Sequence, residues 1–150
     1  MVNDLKANKM TIIILVAILM ASAATAVGVS LVERRISSQG RIKAINVEVF
    51  SDAACTQVLT AIDWGLLEPS QVVSRTVYLK NVGNTPLTLS MSTSTWAPSS
   101  AASYISVNWN AGGKVINPST TLGANITLSV SSAIGGIDSF SFYIVITGSG

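Results

Sequence analysis

From residue 41 to residue 150, apolar residues alternate with serine, threonine and asparagine in short runs. Each run ends at a cluster of glycine, proline, asparagine or aspartate. A period of two places successive side chains on opposite faces of a β-strand, as for Ile126, Leu128 and Val130 and the polar residues between them. The pattern predicts antiparallel sheets with one apolar and one polar face, and no helical periodicity competes with it after Val32.

Eight runs can be delimited by their turn signals. They are residues 42–50, 57–64, 72–81, 85–93, 104–109, 114–116, 121–131 and 139–147. Seven or eight short strands in about 110 residues is the density of an immunoglobulin-like β-sandwich, in which two sheets share one core. We therefore expect residues 41–150 to form a mainly β domain, an immunoglobulin-like antiparallel β-sandwich of 7–8 strands.

Residues 11–32 form an uncharged run of 22 residues ahead of this domain. As a helix the run would be about 33 Å long, which is enough to cross a bilayer core of about 30 Å. We expect residues 1–32 to be an N-terminal hydrophobic helix that acts as a signal or transmembrane segment, followed by a polar linker at 33–40. Three fates stay open: retention in the membrane, cleavage after Ala23 or Ala26, and cleavage ahead of the run to leave a pilin-like stalk.

The net charge of +2 belongs to the N-terminal segment, because residues 41–150 contain five basic and five acidic side chains. The N-terminal basic residues flank the hydrophobic run, as in segments that enter membranes, and no basic patch is left for nucleic acid. The chain contains no histidine. A Ser–His pair, a Cys–His pair and a histidine metal site are therefore excluded, and we expect neither enzymatic activity nor a cofactor nor a metal.

Two single residues are candidates for modification or special packing. Asn125 opens the only N-x-S/T sequon, and the alternation places it on the polar face of its strand, so it is a possible N-glycosylation site. Cys55 has no second cysteine to pair with, and we expect it to be buried as a small apolar residue. The five carboxylates of residues 41–150 are scattered, without the spacing of a calcium loop.

Strands with flat serine and threonine faces are open to pairing with a strand from a neighbouring molecule. Cleavage after Ala26 would expose a segment in which Val27, Val29 and Leu31 alternate with small residues. This segment is a possible donor strand.

Two further segments, 63–70 and 75–89, carry a resemblance to known proteins. The first has Trp64-Gly65 at a strand end before a turn at Pro69, and the second has a hairpin with Asn81 and Pro86. In these features the chain resembles the immunoglobulin-like modules of archaeal cell-surface proteins. Together with the hydrophobic N-terminal segment, the layout is similar to that of archaeal pilin-like and surface-filament subunits.

The resemblance implies a non-enzymatic structural subunit of an extracellular, pilus-like surface filament. Such a subunit would be anchored in the membrane or secreted, and its partner would be a second copy of itself, bound through the N-terminal segment or by donor-strand exchange. The alternative is a monomeric adhesion or binding module, tethered to the membrane by its N-terminal helix, that recognises other envelope proteins.

Overall fold

A computed structural model describes residues 35–150, and this part of the chain is mainly β. A 3₁₀ helix at Ser99–Ser103 is its only helix. The strands are β1 (Ile36–Ile45), β2 (Glu48–Phe50), β3 (Ala61–Leu67), β4 (Val72–Lys80), β5 (Leu87–Ala97), β6 (Ile105–Trp109), β7 (Val115–Ile116), β8 (Thr121–Val130) and β9 (Ser139–Ser149).

The strands form two sheets. Sheet A has the order β3-β1-β9-β5-β7, and sheet B has the order β2-β4-β8-β6. Odd-numbered strands therefore lie in one sheet and even-numbered strands in the other, so no strand pairs with its neighbour in sequence. Neighbouring strands are antiparallel except for β1 and β9, which run parallel.

The inward faces of both sheets contribute to one hydrophobic cluster. The alternation predicted for β8 and β9 is confirmed, because Ile126, Leu128, Ile144 and Ile146 are fully buried while Ser141 between the apolar positions of β9 is exposed. Burying a side chain of this size stabilises a fold by about 1.5–3 kcal/mol relative to exposure. Strands β8 and β9 thus contribute to the centre of the core.

The beginning of the domain differs from the prediction. Residues 36–40, expected in a polar linker, are the first half of β1, and the predicted strand 42–50 is divided between β1 and β2. The division falls at Asn46, which has a positive φ of 61° and donates from Nδ2 to the Gly148 carbonyl, 3.1 Å away. The linker was misread because two of the inward residues of β1, Ser38 and Gly40, are not apolar.

The predicted N-terminal helix and the three possible fates of residues 1–32 lie outside residues 35–150. Within that described range, no helix is long and apolar enough to cross a membrane. The range contains nine strands where seven or eight were expected, because β1 and β2 replace one predicted strand.

Candidate assembly surfaces

Strand β1 is paired on both sides. Its residues from Ser37 to Ile45 pair in parallel with β9, and its residues from Ile36 to Arg41 pair antiparallel with β3. It is also the first described strand, so it joins a sheet whose other members all come later in the sequence. Without β1, the facing edges of β3 and β9 would both lose their backbone partners.

Small residues fit β1 into the interior. The Ser38 hydroxyl donates to the Gly65 carbonyl at 3.2 Å. Gly40 lies under the Trp64 indole, so closely that a Cβ on residue 40 would be 3.0 Å from Trp64 Nε1. The side chains of Ile36, at the start of β1, and of Trp64, on β3, are each 2% exposed, so both lie in the core.

The neighbouring strand β3 is shaped by a bulge opposite β1. The pairing shifts register between Ser38 and Gln39, and Gly65 takes a positive φ of 81° at this point. The Asp63 carboxylate accepts the Gly65 N–H at 2.8 Å. Arg75 of β4 then donates from Nε to the Asp63 carbonyl and from Nη2 to the Trp64 carbonyl, at 3.3 and 3.4 Å. Backbone acceptors of β3 are therefore occupied by a side chain.

The outward face of sheet B is a ladder of polar side chains. Ser74 and Thr127 hydroxyls are 2.8 Å apart, and the Thr76 hydroxyl donates to Asn125 Oδ1 at 2.9 Å. Asn125, the predicted glycosylation residue, is exposed in the middle of β8 as the alternation required. Its Oδ1 is occupied by Thr76, while its Nδ2 has no hydrogen-bond partner within residues 35–150. Glycosylation at Asn125 stays a prediction.

An open groove of about 860 Å³ lies at one end of the two sheets and was not predicted from the sequence. It is lined by Asn46, Val47, residues 81–83, residues 85–87 and Gly150. Asn81, beneath it, is fully buried. Its Nδ2 donates to the Thr85 and Ile116 carbonyls at 2.7 and 3.0 Å, and its Oδ1 accepts the Gly83 N–H at 2.9 Å. With all three partners satisfied, Asn81 holds the loop in place.

Asp52 and Cys55 lie in one turn that follows β2. The Asp52 carboxylate accepts the backbone N–H groups of Gln57 and Thr56, and the hydrogen bond from Gln57 is the main cause that lowers the pKa of Asp52. Cys55, in the same turn, is half-buried with φ of 54°, so it is not fully buried as predicted. Within residues 35–150, no group of three or more cysteine or acidic residues could hold a metal ion.

The possible donor residues Val27, Val29 and Leu31 lie outside the described residues. No protein-family model matches the chain, and no curated protein is similar to it in sequence. The geometry of residues 35–150 therefore carries the functional argument.

Proposed function

We propose that this protein is a structural, non-enzymatic subunit of an extracellular surface filament, which assembles through its N-terminal hydrophobic segment or by donor-strand exchange. The observation that carries the proposal is the position of β1. Only residues 33–35 separate the uncharged run, which ends at Val32, from the start of β1 at Ile36. Three residues span about 10 Å when extended, so there is little free linker.

A short connection of this kind favours a filament subunit over a freely swinging module. A pull on the N-terminal segment would act along β1, which is bonded through its backbone to β3 on one side and to β9 on the other. Withdrawing such a strand breaks the backbone hydrogen bonds to both neighbours, and each bond exchanged for water costs about 0.5–1.5 kcal/mol. Load on the segment would therefore be transmitted into the sheet.

We propose a β-sandwich as the architecture of the domain, because both sheets contribute buried residues to one core. The immunoglobulin-like assignment stays a prediction. In immunoglobulin domains some consecutive strands pair, such as A with B and F with G, whereas no consecutive strands pair in this chain. The filament proposal depends on β1 and not on this finer assignment.

Donor-strand exchange has a defined candidate in β1 itself. Between β3 and β9, β1 is held mainly by backbone hydrogen bonds, and its inward residues there include two small ones, Ser38 and Gly40. The β1 of a neighbouring copy would fit this position equally well. The partner is then a second copy of this chain. The membrane, if the helix is retained, and other envelope proteins are additional proposed partners, and the proposed location is the cell surface.

The alternative function, a monomeric tethered module that binds another envelope protein, is favoured by one observation. The groove at the Asn46 and Asn81 end is edged by an exposed apolar residue, Val82, which is 57% exposed. A concave groove lined by apolar groups and a few polar ones is the usual form of a binding site.

The first experiment determines the N-terminus of the mature protein and examines the cell surface by electron microscopy. Filaments containing the chain are expected. A surface without filaments, together with an intact monomeric chain in the membrane, would overturn the filament proposal in favour of the tethered module.

A cysteine pair separates the two routes of assembly. Gln39 of β1 pairs with Ser141 of β9, both are exposed, and adjacent strands are about 4.8 Å apart, within the range of a disulfide. The full chain with Gln39→Cys and Ser141→Cys, in a Cys55→Ala background, is assembled and oxidised. Exchange of β1 gives a ladder of covalent multimers. Assembly through the N-terminal segment alone gives filaments that dissociate to monomers with an internal disulfide.

The matched control is Ser90→Cys with Thr147→Cys. These residues pair across β5 and β9, which both belong to the contiguous later part of the fold. Only an internal disulfide is expected from this pair, by either route. Covalent multimers from the control would mean that the multimers of the Gln39–Ser141 pair come from random collisions between chains and not from exchange of β1.

A further inference from the structure

Strand β6, at the edge of sheet B, has an unused row of backbone hydrogen-bonding groups. Tyr104 O accepts the Ser131 N–H at 2.8 Å, and Asn110 N–H donates to the Asn125 carbonyl at 3.3 Å. Because bonded and non-bonded positions alternate in an antiparallel pair, the N–H and C=O groups of Ile105, Val107 and Trp109 point away from β8. They have no hydrogen-bond partner within residues 35–150.

The other terminal strands of the two sheets are protected. On the outer side of β2, Val49 O accepts the Leu59 N–H at 2.8 Å and Ser51 N–H donates to the Gln57 carbonyl at 3.0 Å. On β3, Arg75 occupies two backbone carbonyls, and β7 is only two residues long. Side-chain caps and short strands are devices that prevent edge-to-edge pairing.

Strand β6 carries none of these devices. From Tyr104 to Asn110 there is no charged residue, no proline and no glycine, and the strand pairs with β8 without a shift of register. Its polar side chains, Ser106 and Asn108, are exposed, whereas Val107 and Trp109 are half-buried against the core. The edge is therefore flat, neutral and regular, which is the kind of edge that templates a further strand.

We propose that β6 pairs antiparallel with β6 of a second copy of this chain about a two-fold axis. The register that uses all the free groups places Val107 opposite Val107 of the second copy and Ile105 opposite its Trp109. An identical strand is the occupant because this register is self-complementary, and because residues 41–150 carry equal numbers of positive and negative charges, so copies do not repel. Sheet B then continues across the axis into sheet B of the second copy.

This contact goes beyond the proposed function, since it uses neither the N-terminal segment nor β1. Between filament subunits it would join neighbouring filaments side by side, and between tethered modules it would give a dimer.

In either case Ser106 faces Asn108 of the second copy at a position that is not hydrogen-bonded. The Cα atoms at such positions are about 4.5 Å apart, which suits a disulfide.

The test is a double cysteine variant of the full chain, Ser106→Cys with Asn108→Cys in the Cys55→Ala background, oxidised in the envelope of cells that produce it. A reducible species of twice the monomer mass is expected on denaturing gels. The matched control is Ser139→Cys with Ser141→Cys on β9, which are two exposed serines in the interior of sheet A and should give no dimer. Equal dimer from both pairs, or none from the β6 pair, would overturn the proposal.

A second variant tests the contact without a disulfide. Ser106→Lys with Asn108→Lys sets lysines of the two copies against each other on the exposed face, and Ser139→Lys with Ser141→Lys adds the same charge elsewhere. Loss of lateral association in electron micrographs is expected for the β6 variant only. Unchanged lateral association in the β6 variant, or equal loss of it in both lysine variants, would contradict the proposal.

The two proposals fail separately. Filaments that give no β6 cross-link would overturn the two-fold contact and leave the filament function standing. A β6 cross-link in chains that never form filaments would do the reverse.

Discussion

Replacing Gly40 by alanine tests how β1 is held in its sheet. The new Cβ would lie 3.0 Å from Trp64 Nε1, 3.3 Å from Ile144 Cδ1 and 3.4 Å from Phe142 Cζ. All three neighbours are buried core residues, so the strand or the indole must shift. Such overpacking costs about 1–3 kcal/mol, while removing a glycine from a strand stabilises by about 0.5–1 kcal/mol. The expected net loss is about 1 kcal/mol.

The matched control is Gly123→Ala in β8. There the new Cβ would meet Tyr78 Cε1 at 3.5 Å and Cδ1 at 3.7 Å, which are ordinary contacts, so only the conformational gain of about 0.5–1 kcal/mol is expected. Thermal unfolding of the full chain in detergent, followed by circular dichroism, measures both variants. One kcal/mol shifts Tm by about 4 °C in a domain of this size, so the two variants should move Tm in opposite directions. A rise in Tm for Gly40→Ala would refute the packing argument.

Four further predictions concern single side chains. Asn81→Ala removes three hydrogen bonds, one of them buried and two partly buried, and should lower the free energy of unfolding by about 3 kcal/mol in chemical denaturation. Because the folded pKa of Asp52 is lowered, its stabilising effect is present above pH about 4 and is lost as pH falls through the folded value; Asp52→Asn should remove that part of the acid dependence of Tm. Arg75→Ala uncovers the β3 edge, and light scattering should show concentration-dependent association that Arg75→Lys partly suppresses. Asn125→Gln should lower the mass of the native protein by that of a glycan, and an unmodified Asn125 in mass spectra would exclude glycosylation there.

The later strands could be predicted from the sequence and the first one could not. Strands β8 and β9 begin at the predicted residues, Thr121 and Ser139, because each fills its inward face with large apolar groups. In the first half of β1 the inward residues after Ile36 are Ser38 and Gly40. A larger residue 40 would meet the indole of Trp64, which lies 24 residues further along the chain, and Ser38 donates to the carbonyl of Gly65. Local alternation cannot report a constraint that comes from such a distant neighbour.

The region after β2 shows a second limit. A strand was expected from residue 57, but β3 begins at Ala61. The Asp52 carboxylate binds the backbone of Thr56 and Gln57 and holds residues 52–57 as a turn, and residues 58–59 then pair with β2. The open edge of β6 could not be predicted from the sequence either, since its residues alternate like those of any other strand. Which edges are covered depends on Arg75 and on residues 57–59, and only the three-dimensional pairing reveals it.

The composition of β1 links its packing to its proposed exchange between subunits. Large side chains would tie a strand to the particular cavity that they fill, and a large part of its stabilisation would come from that fit. Between Ile36 and the half-buried Ile42, however, β1 offers only a serine and a glycine to the core, so its position depends largely on backbone hydrogen bonds to β3 and β9. Backbone hydrogen bonds are the same for β1 of any copy. The free energy of the paired state is therefore nearly equal whether the strand comes from the same chain or from a neighbour, and the short connection between β1 and β2, residues 46–47, determines which of the two it reaches. Lengthening that connection with a flexible glycine-serine insert should then favour pairing within the chain, and the Gln39–Ser141 cysteine pair should change from multimers to internal disulfides. Multimers that persist at every insert length would contradict this account of β1.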